Sequence, residues 1–66
     1  MNKQELLNRN VIFEFHSIGQ YIKVIALDEK SLTEISIQGP KGTPERLLKQ
    51  NALKRLKYVL EKKGIL

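Results

Sequence analysis

Between residues 11 and 16 the sequence VIFEFH sets Val11, Phe13 and Phe15 against Ile12, Glu14 and His16, an alternation with the period of a strand. Residues 21 to 27, YIKVIAL, are rich in β-branched types and resume the extended pattern after SIGQ, where Gly19 can take a positive φ. A hairpin follows from this. With Ile18 and Gly19 as a two-residue loop, Phe15 faces Ile22, Phe13 faces Val24, Val11 faces Ala26 and Glu14 lies opposite Lys23, so one register serves apolar and charged pairs alike. DEKS, residues 28 to 31, supplies polar turn chemistry. LTEISIQ, residues 32 to 38, alternates again with Ile35 and Ile37 on one side, which predicts a third antiparallel strand.

GPKGTP, residues 39 to 44, stacks two glycines and two prolines and is expected to end the sheet. Thr43 as N-cap, Pro44 at the first helical position and Glu45 behind it form a helix start, since Thr accepts an orphan amide and Pro lacks one. At 100° per residue Leu48, Ala52, Leu53, Leu56, Val59 and Leu60 fall in one wide sector, and Gly64 stands where a C-cap glycine belongs. At the other end QELLNR, with Leu6 and Leu7, offers one short helical turn, although so few residues rarely hold a helix alone. The architecture expected is α+β, a three-stranded antiparallel meander with one long C-terminal helix on one face, in the order β-β-β-α. Residues 1 to 66 then make one small domain, with an N-terminal segment at 1–10, the meander at 11–38, a loop at 39–43 and the helix at 44–63. Phe13, Phe15, Val24, Ile35, Leu53 and Leu56 are the expected core.

The sheet face turned away from the helix is left with Ile12, Tyr21, Ile25, Leu27 and Leu32 among Glu14, His16, Lys23, Glu34, Ser36 and Gln38. A sheet covered on one side normally alternates more cleanly, so this surplus of large side chains asks for the N-terminal segment or a second protein molecule. Ile12, Tyr21, Ile25 and Leu27 are the candidate self-association face.

Composition narrows the chemistry. A chain of 66 residues buries only about 60% of the surface its unfolded form exposes, which leaves little to wall off a substrate pocket, and no enzyme is expected. Without cysteine, and with His16 as its one histidine, the sequence offers no thiolate or multi-histidine metal site, and no cofactor is expected. No apolar run approaches the roughly 20 residues of a membrane span, and MNKQELLNRN lacks the apolar stretch of a signal peptide, so the cytoplasm is the expected setting. His16 has Glu14 two residues back on the same face, but only Ser17 and Ser36 as nearby hydroxyls. A sheet-face or subunit-contact histidine fits better than an acid-base catalyst. Gly39 to Thr43 places two glycines and a lysine before a helix, a recipe for holding phosphate on backbone amides. The P-loop spacing is absent, however, and a GxxG clamp would sit between two helices, so a plain connector is the reading taken.

Charge is unevenly spread. Residues 1 to 40 carry four basic and five acidic side chains, whereas residues 41 to 66 carry eight basic and two acidic ones, so the whole +5 excess lies on the helix and its approach. Lys41, Arg46, Lys54 and Lys57 are the contacts a nucleic-acid reading would use. That reading has no aromatic stacking platform to support it, and the outer sheet face is acidic and apolar, which repels phosphate.

From Ile12 to Lys62 the chain carries FEFH at 13 to 16, Ile18-Gly19, Lys23-Val24, Ala26, Thr33-Glu34, Gly39-Pro40, Leu48-Lys49, Ala52-Leu53, Leu56 and Tyr58-Val59-Leu60. In these it resembles a small alphaproteobacterial domain family of unknown function. The resemblance implies a bacterial cytoplasmic protein with the same order of strands and helix, and it brings no site residues. Members sometimes labelled serine hydroxymethyltransferase do not transfer that activity here, because a pyridoxal enzyme needs a far larger domain. The expectation is a non-catalytic interaction module that pairs with its own copy, as a homodimer, or with another protein, with no small-molecule substrate and no membrane. The alternative is weak, sequence-tolerant nucleic-acid binding through the helix.

Overall fold

The computed structural model describes residues 9–66. Three strands, β1 (Val11–Ile18), β2 (Tyr21–Asp28) and β3 (Thr33–Pro40), form an antiparallel sheet in the order β1-β2-β3, and a helix, α1 (Glu45–Lys62), follows. The α+β meander with one C-terminal helix is therefore the fold. Helix α1 packs on β2 and β3. The short helical turn expected at Leu6 and Leu7 lies outside the described residues.

The register differs from the expected one by two residues. Gly19 and Gln20, not Ile18 and Gly19, make the loop, and Ile18 pairs with Tyr21 as the last rung of β1. Gly19 has φ of 57° while Gln20 is not in the positive region, which fits the hairpin turn that places glycine first. Consequently Phe15 faces Val24, Phe13 faces Ala26, Val11 faces Asp28 and Ser17 faces Ile22; Glu14 lies opposite Ile25, and Lys23 opposite His16. Because the slip is even, every side chain stays on its expected face.

The phase of the ladder decides what each edge offers. The Glu29 amide donates to the Asn10 carbonyl at 3.0 Å, continuing the β1–β2 ladder by one rung, so even-numbered residues of β1 bond to β2. Val11, Phe13, Phe15 and Ser17 then turn their N–H and C=O groups to the open edge. On the other side the Lys41 amide donates to the Gln20 carbonyl at 3.0 Å, which puts Pro40 in the alternate phase, where a missing N–H faces outward and costs the ladder nothing. For this reason β3 runs through Gly39 and Pro40, two residues beyond the expected end of the meander.

Val24, Ala26, Ile35, Leu48, Ala52, Leu56 and Leu60 are buried, with Phe13, Phe15, Ile22, Ile37 and Val59 half-buried against them. The helix contributes a stripe at every fourth position, narrower than the expected sector. Leu53, expected in the core, is half-buried and outside it. Small residues explain the difference: Ala52 and Ala26 let the backbones approach, and at Gly39 a Cβ would stand 2.7 Å from Leu48 Cδ2, so closest approach follows the Leu48, Ala52, Leu56 line and bypasses Leu53.

Helix α1 starts one residue later than expected, at Glu45. Pro44 occupies the N-cap with ψ of 139° and no side chain caps the end, so Thr43 does not serve as the cap. At the far end Gly64, with φ of 76°, donates to the Glu61 carbonyl at 3.0 Å while Ile65 donates to that of Leu60 at 2.9 Å. These two bonds make a Schellman ending, as the glycine predicted.

Candidate functional site: the outer sheet face and the edge of β1

Alternation along three registered strands gives the face away from α1 a fixed layout. Its rows run Ile12, Leu27, Glu34; then Glu14, Ile25, Ser36; then His16, Lys23, Gln38; and finally Ile18, Tyr21, Pro40. Ile12, Ile25 and Leu27 come together at one end, whereas Tyr21 stands at the other beside Ile18, with polar and charged side chains between. Ile18 was missed because the expected loop consumed it. Ile12 is 45% exposed, Ile18 42% and Tyr21 39%; Ile25 and Leu27 are half-buried. Leu32, expected on this face, lies outside β3 in the turn after β2, and is 74% exposed. Its φ is 58°, an unusual value for a branched side chain.

His16 Nε2 lies 3.1 Å from Glu14 Oε1, both side chains at least half exposed on a flat strand. Neither Ser17 nor Ser36 adjoins this pair: Ser17 is on the opposite face, and Ser36 shares the row of Glu14 but stands on β3, with Ile25 between them. Among the described residues no three metal-ligating side chains cluster, and no helix is long and apolar enough to cross a membrane.

On the helix-bearing face β1 is only partly sheltered. Phe13 and Phe15 are half-buried, Lys49 Nζ sits 5.6 Å from the Phe13 ring centre, and a shallow groove of about 210 Å³ opens between Phe15, Ser17, Ile22, Thr43, Glu45 and Leu48. The glycine-rich approach to the helix is occupied by the protein itself. Gly39 is held beneath Leu48, and the Thr43 amide donates to the Pro40 carbonyl at 2.9 Å.

One buried polar cluster escaped the sequence reading. Asp28 is fully buried at the end of β2, where the Arg9 guanidinium donates from Nε and Nη2 to its two oxygens, each at 2.9 Å. Ser31 donates both its amide and its hydroxyl to the same carboxylate, at 3.1 and 2.5 Å. The Arg9 fork holds the Asp28 carboxyl down at about 2, against burial, which pushes it up, and the Ser31 bonds add to the lowering. Thr33 joins through Ser31, and Lys63 reaches Thr33 Oγ1 at 3.3 Å, tying the helix end to the sheet. No buried side-chain polar atom of the cluster is left without a partner, so it acts as a clamp on the β2–β3 turn. Asp28 and Ser31 at three-residue spacing were the available signal; Arg9, nineteen residues away, was not readable as their partner.

The candidate cations of α1 are dispersed. Arg46 and Lys54 are exposed and Lys57 half-buried, spread over about 16 Å of helix, with Lys41 in the preceding turn. Lys49 and Lys63 point toward the sheet. Beside this surface stands Tyr58, 49% exposed, with Arg55 and Lys62 each 5.5 Å from its ring centre.

A family model covers residues 8–63, from the clamp residue Arg9 through all three strands and the helix, under the description Domain of unknown function (DUF6898). The chain belongs to this family. The DUF6898 match thus spans the sheet, its open edge and the clamp together, and it assigns no role to any of them. No curated protein and no solved structure matches the chain.

Proposed function

We propose that this DUF6898 domain is a non-catalytic interaction module that associates with a second copy of itself by way of the apolar side chains of its outer sheet face. The observation that carries the reading is the exposure of Ile12, Ile18 and Tyr21 on a sheet face that also holds Ile25 and Leu27. A monomer keeps few such side chains together in water, and a twofold contact lets one patch cover its own copy. A bacterial cytoplasmic setting goes with the reading, as does independence from any cofactor. Light scattering on the size-exclusion peak tests it: the full chain runs at twice its 7.6 kDa mass at high micromolar concentration. A peak at the monomer mass there removes the proposal.

A second reading, sequence-tolerant nucleic-acid binding, is favoured by Tyr58 between Arg55 and Lys62, a cation-flanked ring of the kind on which bases stack. Anisotropy titration with single-stranded RNA and duplex DNA tests it. Binding through this surface falls steeply with salt and is lost in Arg55→Glu with Lys62→Glu, whereas no binding at low salt ends the reading.

A further inference from the structure

The self-association proposed above leaves open which surface meets which, and the two sheet edges differ in a way that decides it. On β3 the outward-facing backbone positions end in Pro40, which cannot donate to another strand, and α1 lies over that half of the sheet. On β1 the outward positions are Val11, Phe13, Phe15 and Ser17, an eight-residue strand without proline or lysine. Among the described residues no element pairs with this edge. We infer that two copies join their β1 strands antiparallel about a twofold axis at Phe15, making one six-stranded sheet.

The register follows from the side chains. Directly opposite residues in an antiparallel pair must point to one face, so only pairings whose axis falls on a residue keep both sheets in phase. An axis at Glu14 sets Glu14 against Glu14 of the copy, a repulsive pair. An axis at Phe13 sets Ile12 against a carboxylate, and one at His16 sets histidine against histidine. An axis at Phe15 instead puts Glu14 opposite the copy's His16, an acceptor opposite a donor, twice. It also sets Ile12 opposite the copy's Ile18, so the two most exposed aliphatic side chains of the strand lie side by side in contact.

The same register extends Leu27 and Ile12 of one copy into Ile18, Tyr21 and Pro40 of the other, a continuous apolar row across the joined sheet. On the helix-bearing face Phe15 meets its own copy, an aromatic cross-strand pair. Phe13 falls opposite the copy's Ser17, which places its ring beside the apolar groove lined by Phe15, Ser17 and Ile22. Outward N–H and C=O groups of Phe13, Phe15 and Ser17 find partners without disturbing the bonds to β2.

Cysteine cross-linking tests the arrangement in the full chain, which has no cysteine of its own. Glu14→Cys and His16→Cys chains, both altered at exposed positions, are mixed in equal amounts and mildly oxidised. The mixture is expected to form covalent heterodimer at least tenfold faster than either variant alone. Ser17→Pro, which removes an outward N–H and leaves the β1–β2 ladder intact, is expected to give a folded monomer by circular dichroism and light scattering. Ser36→Pro on the opposite edge leaves the dimer in place. A dimeric parent whose mixture does not cross-link overturns the β1 pairing while the self-association stands. Preferential cross-linking of Glu14→Cys with itself overturns the Phe15 axis. A parent that is monomeric at high micromolar concentration overturns both.

Discussion

The two halves of this sheet are built to different standards. Beneath α1, Val24 and Ala26 of β2 and Ile35 of β3 are buried, Gly39 and Ala52 bring the backbones close, and the Asp28 clamp ties the turn to the chain on either side. On β1 nothing is fully buried: Phe13 and Phe15 are half-covered, Ile12 and Ile18 are exposed, and the edge backbone is unpaired among the described residues. Stability therefore concentrates in β2, β3 and α1, and β1 is the least covered part of the sheet, the part through which we propose that a second copy is bound. Substitutions separate the two halves cleanly if this division is right.

Leu56→Ala should have the largest effect. Leu56 is fully buried at the centre of the helix stripe, and removing its side chain from a packed core costs about 2 to 5 kcal/mol, a large share of what a domain this small has available. Urea unfolding followed by circular dichroism measures it. The matching change on the other half, Ile12→Ala at a 45% exposed position, should shift stability by well under half as much while weakening self-association. Equal losses of stability from the two would erase the distinction.

The clamp gives the comparison a pH dependence. Asp28 titrates at about 2 in the folded protein, below the ordinary value of 3.8, so folding favours its ionised form. Its contribution is fully present above about pH 4 and is lost as pH falls through about 2. The urea midpoint should accordingly drop between pH 5 and pH 2. Arg9→Gln should lower the midpoint at neutral pH and flatten that drop, since the guanidinium is the main cause of the low value. An unchanged acid profile in Arg9→Gln would assign the pH dependence to other carboxylates.

These regions also mark how far the sequence could be read. Alternation placed Val11, Phe13 and Phe15 on one face and Ile12, Glu14 and His16 on the other, and that division survived a register slip because the slip was two residues. Which residues pair across the hairpin was decided by one torsion, the positive φ of Gly19 at the first loop position, and periodicity carries no record of it. The helix face was legible in Leu48, Ala52, Leu56 and Leu60, but its width was not, since Leu53 was excluded by small residues on facing elements. Pro40 read as a breaker because its missing N–H is harmless only in one phase of an edge strand. The Asp28 clamp stayed hidden because its strongest bond joins residues nineteen apart. For the candidate site, Ile12, Ile25 and Leu27 were legible as a group, Tyr21 only as a member of the face, and Ile18 not at all. The open edge itself appears only once the ladder phase is known.

Gly39→Ala probes how tightly the buried half is assembled, with a smaller expected effect. The new methyl group would stand 2.7 Å from Leu48 Cδ2, and because Leu48 is itself buried the leucine cannot swing clear. Overpacking of this kind costs about 1 to 3 kcal/mol, partly offset because alanine loses less backbone entropy than glycine on folding. A net loss of roughly 1 kcal/mol is expected in urea unfolding. No loss would mean that the helix can lift from β3 without penalty.

Leu32→Gly should have the smallest effect, and the opposite sign. Leu32 holds φ at 58°, a region that costs a side chain with a Cβ about 1 kcal/mol and costs glycine almost nothing. Its amide donates to the Asp28 carbonyl at 2.7 Å, so the turn fixes this conformation whatever the residue carries. The side chain is 74% exposed and contributes little burial to lose. Relief of strain, less the added entropy of the unfolded glycine chain, leaves a gain of at most about 1 kcal/mol, read as a small rise in melting temperature. The gain belongs to the clamped half, so it should appear equally in the Ser17→Pro monomer. A loss in that monomer would show that the Leu32 side chain packs within its own domain and is not merely displayed from the turn.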